Sequence, residues 1–136
     1  MDVKALLRSY RPALIAAQRT AEKLDDAREA TVKSPRLDGM PRTGGGHGLD
    51  DQIARIDALE RRLFREREKA LEVSEKIEAM IETMTDWDEK NVMRFRYLEG
   101  MAWEAVAVNA YMSRRKAITV HGRALEKLRR DEKWQE

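Results

Sequence analysis

The sequence predicts an all-α protein in which a long antiparallel helical hairpin, packed like a coiled coil, precedes a C-terminal helix-turn-helix. Three observations lead to this prediction. Charged residues make up 38% of the 136-residue chain and aromatic residues only 6%, which is typical of long solvated helices rather than of a large globular core. Apolar residues recur with three-four spacing over two long stretches. Between these stretches, five glycines and two prolines within sixteen residues predict a loop.

The first segment, residues 1–33, has a narrow apolar seam that begins at Val3 and ends at Leu24. Pro12 falls inside this seam, where a proline removes a backbone hydrogen bond. It therefore either kinks the helix or starts it. We expect a helix from residue 3 to residue 32 with a bend near Pro12, followed by a flexible glycine- and proline-rich loop over residues 34–49.

The second segment, residues 50–85, is predicted to form one long charged helix with Asp50 or Asp51 as its N-cap. Its apolar stripe keeps the three-four rhythm to Met84 and is interrupted at Glu66. An exposed stripe of this length needs a partner. Either the first helix folds back to cover it, or two chains pair along the same seam, and the pattern alone does not choose between the two.

The last segment, residues 86–136, predicts the helix-turn-helix. Asp86 or Asp88 can cap a helix that runs to Glu99, and Gly100 suits the left-handed position after a helix end. A short helix over residues 102–108, a four-residue turn and the N-cap Ser113 then lead into a long final helix.

The final helix is strongly basic. Seven lysines and arginines and one acid, Glu126, lie between Ser113 and Arg130. Arg114 and Arg115 occupy its first turn, where the helix dipole disfavours cations. One interpretation is an exposed solvated face. The other, which we favour, is an anionic partner at this helix end, and the phosphates and guanine edges of DNA fit that role.

The stretch RYLEGMAWEAVAVNAYMSRRKAITVHGRALEKLRR resembles region 4 of bacterial sigma factors. Over most of its length, the chain more closely resembles small phage-encoded proteins that carry such a module, the ArpU and RinA group of late-gene transcription regulators. Those proteins also place an N-terminal helix, a loop similar to SPRLDGMPR and a long charged helix ahead of the module. The specific part of the resemblance is residues 94–130.

The resemblance implies sequence-specific binding of double-stranded DNA, with the helix from Ser113 in the major groove. The positions that match DNA-binding positions of the module are Ser113, Arg114, Arg115, Lys116, Ile118, Thr119 and Arg123. His121 matches a histidine that several such phage proteins carry. The chain departs from the module at Ala102, where a Ser or Thr cap is common, at Ala117, which is smaller than usual, and in the turn 110–112, which lacks the frequent glycine.

Other chemistries find little support in the sequence. There is no cysteine, and the two histidines lie far apart, so we expect no metal site. The GGGHG stretch lacks the Gly-Lys-Ser/Thr ending of a phosphate-binding loop. No Ser, His and Asp grouping stands out. We therefore expect no catalytic residues, no cofactor and no enzymatic activity.

The resulting hypothesis is a phage or prophage transcription regulator whose helical first half supplies dimerisation or contact with host RNA polymerase. Two alternatives remain: a DNA-packaging or architectural protein similar to small terminase subunits, and a helical adaptor that binds RNA polymerase or another host protein. No apolar run is long enough to span a membrane, and the N-terminus lacks the apolar core of a secretion signal. We expect the protein in the cytoplasm of the bacterial host.

Overall fold

The computed structural model describes residues 2–33 and 47–131, and every regular element in these ranges is helical. Its elements are α1 (Val3–Lys33), α2 (His47–Glu82), α3 (Trp87–Met93), a π-helical turn (Arg94–Leu98), α4 (Trp103–Asn109) and α5 (Arg114–Arg130). The all-α prediction is confirmed. Within the described ranges, no helix combines the length and apolar character needed to cross a bilayer.

Helix α1 has its predicted bounds to within one residue, whereas α2 begins and ends earlier than predicted. Helix α1 begins at Val3 and continues through Pro12, so the proline does not start it. Helix α2 begins at His47, ahead of the predicted cap, and Asp50 lies in its first turn. Of the predicted loop, residues 34–46 lie outside the described residues and 47–49 are helical. A single glycine in this turn, Gly48, costs only about 1 kcal/mol relative to alanine, which a long helix tolerates.

The chain divides into two compact units, and α1 and α2 contribute to both. We call residues 14–68 the hairpin unit. Residues 1–13 and 69–136 form the helix-turn-helix unit, which therefore includes the start of α1 and the end of α2.

In the hairpin unit, α1 packs against α2 within one chain. The Thr20 hydroxyl donates a hydrogen bond to the Glu66 carboxylate, and Arg28 pairs with Glu60 at 3.3 Å. From Thr20 to Arg28 the chain advances along α1, while the partner residue moves back along α2 from Glu66 to Glu60. The two helices are therefore antiparallel. The break in the apolar stripe at Glu66 is matched by buried Thr20, which supplies a polar partner. The core of this unit consists of Ala17, Leu24, Leu59 and Leu63.

In the helix-turn-helix unit, the start of α1 and the end of α2 pack against one side of α5. Leu7 and Ile77 have no exposed surface, and Leu128 on α5 is buried with them. Burying an aliphatic side chain of this size contributes about 1.5–3 kcal/mol. The cluster that anchors α5 consists of Val3, Leu6, Leu7, Ile77, Met80, Ile81, Met84, Met93, Tyr97, Ala124, Leu125 and Leu128.

Candidate nucleic-acid interface

Helices α4 and α5 form the two helices of the predicted helix-turn-helix. Small side chains lie where they approach each other: Ala107, Ala110 and Ala117 are all buried. Ala117, smaller than usual for such a module, therefore lies in this contact. Helix α4 spans residues 103–109, one residue later than predicted, and Ala102 caps it in extended conformation without a side-chain hydrogen bond.

The turn between α4 and α5 contains a non-glycine residue in left-handed conformation. Tyr111 has φ +57° and is 90% exposed. After it, the Met112 amide donates to the Ala107 carbonyl at 3.0 Å, which closes the turn. Tyr111 thus adopts a conformation that glycine adopts readily and that other residues adopt rarely.

A second left-handed residue lies ahead of α4, where the sequence predicts one. Gly100 has φ +68° and follows the π-helical turn, in which the Glu99 amide donates to the Arg94 carbonyl at 3.0 Å. The predicted left-handed glycine is confirmed. The π-helical turn itself was not predicted, because a shift from i−4 to i−5 hydrogen bonding leaves no periodic mark in five residues.

Ser113 is the N-cap of α5, as predicted. Its Oγ accepts a hydrogen bond from the Lys116 amide at 3.1 Å, and its backbone is extended. No acidic residue lies in the first turn of α5. The positive end of the helix dipole and the cations of this turn therefore reinforce each other.

The DNA-binding residues suggested by the sequence are all exposed to solvent. Arg115 and Lys116 form no ion pair within the described residues, whereas Arg114 pairs with Glu104 at 3.0 Å on the surface. The next turn of the same helix presents Ile118, which is 38% exposed, and Thr119, whose hydroxyl donates to a carbonyl of the preceding turn. The buried stripe of α5, with Ala117, Val120 and Ala124, lies on its other side.

Arg123 differs from the other DNA-binding candidates because a carboxylate holds it. Its Nε donates to Glu89 at 3.1 Å, and Lys127 pairs with the same carboxylate at 2.8 Å. Glu89 is 1% exposed, while the Arg123 side chain remains 52% exposed. The sequence analysis did not single out Glu89. The available signal was its position one helical turn before apolar Val92, which puts both residues on the buried side of α3.

The start of α3 is capped as predicted. The Asp86 carboxylate accepts a hydrogen bond from the Glu89 amide at 3.1 Å. This bond lowers the pKa of Asp86 below its usual value, and the nearby Arg123 and Lys127 act in the same direction. The cap therefore fixes the turn that carries Glu89.

His121 lies half-buried in an aromatic cluster on the flank of α5. Its Nε2 shares a hydrogen bond with the Tyr97 hydroxyl (2.5 Å), and its ring meets Trp103 edge-on at 4.9 Å. Burial, with smaller contributions from Arg96, Lys4 and Arg8, lowers the pKa of His121 to about 4. The ring is therefore neutral at physiological pH and packs between elements.

Within residues 2–33 and 47–131, no group of three or more His, Cys, Asp or Glu side chains is arranged to hold a metal ion. Comparison of the chain with known protein families, with curated proteins and with solved structures finds no match.

Proposed function

We propose that this protein is a phage or prophage transcription regulator that binds specific double-stranded DNA by placing α5 in the major groove. One observation carries the proposal: the first turn of α5 exposes Arg115 and Lys116 without an ion-pair partner in the described residues, at the helix end that disfavours cations. DNA phosphates and base edges would remove this conflict, since they supply negative charge and hydrogen-bond acceptors at the same place.

Different residues on the exposed side of α5 can contact the bases and the phosphates of DNA. Arg114 and Arg115 can donate two parallel hydrogen bonds to the O6 and N7 atoms of guanine. Ile118 and Thr119 follow one turn later and can contact a thymine methyl group. The N-terminal amides of α5, with the Ser113 cap, can hold a backbone phosphate. Arg123 stays tethered to Glu89 and can reach a phosphate with its outer nitrogens.

The resemblance to sigma region 4 and to the ArpU and RinA regulators favours transcription control over other uses of DNA binding. Under this proposal, the hairpin unit supplies a dimer contact or a contact with host RNA polymerase. Its Thr20 hydroxyl pairs with Glu66 inside the chain, so such a contact would use the outer faces of α1 and α2.

Fluorescence anisotropy with labelled duplexes from phage promoter regions tests the proposal. We expect Arg114→Ala/Arg115→Ala to weaken binding by roughly 10-fold to 100-fold or more, because each base contact contributes about 1–3 kcal/mol. A matched control is Arg55→Ala/Arg65→Ala, which removes the same charge from exposed positions of α2 in the hairpin unit. This control should bind nearly as wild type does.

A salt series separates specific from general attraction. Removing a cation that touches a phosphate should lower the slope of log affinity against log salt by about 0.9. Equal weakening in the Arg114/Arg115 variant and in the control would mean that α5 has no special role. Absence of binding to any phage promoter duplex at about 50 mM salt would refute DNA binding altogether.

A further inference from the structure

A second basic surface lies in the helix-turn-helix unit, away from the first turn of α5. It is a groove of about 310 Å³ between the start of α1 and the π-helical turn. Six residues line it: Leu7, Arg8, Arg11, Arg96, Tyr97 and Gly100. Three of them are arginines and none is acidic. We call this surface the arginine groove.

Two of the three guanidinium groups lie against the backbone next to the π-helical turn, and one of them, that of Arg96, is fixed by a hydrogen bond. Arg11 lies directly over Gly100, so that a Cβ added there would come within 2.6 Å of the Arg11 Cζ. Arg96 donates from Nη1 to the Met101 carbonyl at 2.9 Å, and its Cζ lies 4.6 Å from the centre of the Trp103 ring. Positioned guanidinium groups lose less conformational entropy on binding than mobile ones do.

The arginine groove has no carboxylate counter-charge in ion-pair contact among residues 2–33 and 47–131. Within the described residues, Arg8, Arg11 and Arg96 form no ion pair with a carboxylate. Lys4, on the same helix as Arg8, is a further cation near this surface. Lys4 and Arg8 both lie close enough to His121 to lower its pKa. Like charges gathered without a counter-charge repel one another, so a bound anion would stabilise this arrangement.

We propose that the arginine groove binds a phosphate group. Guanidinium groups match phosphate oxygens with pairs of parallel hydrogen bonds, and the groove places three of them around one space. The phosphate could belong to a DNA backbone or to a free phosphorylated ligand. This inference concerns residues that the proposed α5 interface does not use, so it does not rest on that proposal.

Isothermal titration calorimetry of the full chain with pyrophosphate tests the inference. We expect Arg8→Gln/Arg11→Gln to weaken pyrophosphate binding by about tenfold or more, since charge-assisted hydrogen bonds from these two arginines supply a substantial part of the affinity. The control Arg55→Gln/Arg65→Gln removes the same charge from exposed α2 positions and should bind as wild type does. Arg8 is exposed, so Arg8→Gln alone gives a folded variant for which we expect several-fold weaker binding.

His121 supplies a second readout by NMR titration. Pyrophosphate in the arginine groove should raise the pKa of His121, because it screens Arg96, Lys4 and Arg8. Arg8→Gln/Arg11→Gln should abolish this ligand-induced rise, whereas the α2 control should keep it. An unchanged His121 pKa in saturating pyrophosphate would place the ligand elsewhere and overturn the inference.

Measuring duplex binding by the same variants shows whether the bound phosphate belongs to a DNA backbone or to a free ligand. If Arg8→Gln/Arg11→Gln also weakens duplex binding and lowers its salt slope, the groove holds a backbone phosphate. If duplex binding is unchanged while pyrophosphate binding falls, the ligand is a free phosphorylated molecule. The inference is overturned if wild type, groove variants and control bind pyrophosphate with equal affinity. It is also overturned if the groove substitutions change neither pyrophosphate affinity nor duplex affinity. If only Arg114→Ala/Arg115→Ala loses duplex binding, that result tests the α5 proposal, and pyrophosphate binding alone then tests the groove.

Discussion

Glu89 couples the core of the helix-turn-helix unit to the basic side of α5. A carboxylate that is 1% exposed needs partners, since burying an unpaired charge is costly. Arg123 and Lys127 supply them from α5, and both keep about half of their side-chain surface in water. The carboxylate thus restrains two cations on the flank of α5 while their outer atoms remain available.

We expect Glu89→Gln to lower the free energy of unfolding by about 1–3 kcal/mol, the usual cost of losing hydrogen bonds to charged groups. Urea denaturation measures this change. Glu126→Gln is the matched control, because Glu126 lies on α5 and is exposed, and it should shift stability by less than about 0.5 kcal/mol. A Glu89→Gln protein as stable as the control would show that the ion pairs contribute nothing.

The residues that the sequence assigned to DNA binding are exposed, as DNA binding requires. Their contacts with distant parts of the chain were not predictable. The Ser113 cap follows from local chemistry, since a serine ahead of a helix accepts from an amide three residues later. The pairing of Arg123 with Glu89 joins residues 34 positions apart and depends on how α3 packs against α5. Spacing along one helix carries no information about such a contact.

At the scale of elements, the turn of the helix-turn-helix carries local strain at Tyr111. A non-glycine residue in left-handed conformation costs about 1–2 kcal/mol. The side chain is 90% exposed, so little packing offsets this cost. The strain is confined to the turn that sets the angle between α4 and α5.

We expect Tyr111→Gly to raise the free energy of unfolding by up to about 1 kcal/mol. Relief of the left-handed strain exceeds the extra entropy that glycine gains in the unfolded chain, which is about 0.5–1 kcal/mol. Tyr111→Ala removes the ring but keeps the Cβ, so it should be nearly neutral. Thermal or urea unfolding of the three proteins measures the difference. Equal stabilisation by alanine and glycine would point to the ring rather than to the backbone.

Most helices were predictable because their apolar periodicity and caps are local signals. The sequence predicted the short helix ahead of Ser113 within one residue and the left-handed conformation of Gly100. It placed the start of α2 too late, since Asp50 is a good cap yet lies inside the first turn. Helices end where several weak preferences balance, so a cap residue alone does not locate the boundary.

At the scale of the whole chain, the start of α1 belongs to the same compact unit as the helix-turn-helix, although about ninety residues of sequence separate them. Val3 and Leu7 are buried in one cluster with Leu125 and Leu128 of α5. The segment from residue 86 onward therefore lacks part of its own core when taken alone. The sequence pattern showed that α1 has an apolar seam, but not that its first turns pack against α5.

We expect Leu7→Ala to lower the free energy of unfolding of the helix-turn-helix unit by about 2–5 kcal/mol, because Leu7 has no exposed surface and the substitution leaves a cavity. Amide hydrogen exchange across α5, more than a hundred residues away in sequence, should accelerate accordingly. Leu63→Ala is the matched control: Leu63 is buried in the core of the hairpin unit, so its substitution should accelerate exchange mainly within residues 14–33 and 47–68. If Leu7→Ala left exchange in α5 unchanged, the start of α1 would not support the proposed DNA-binding helix.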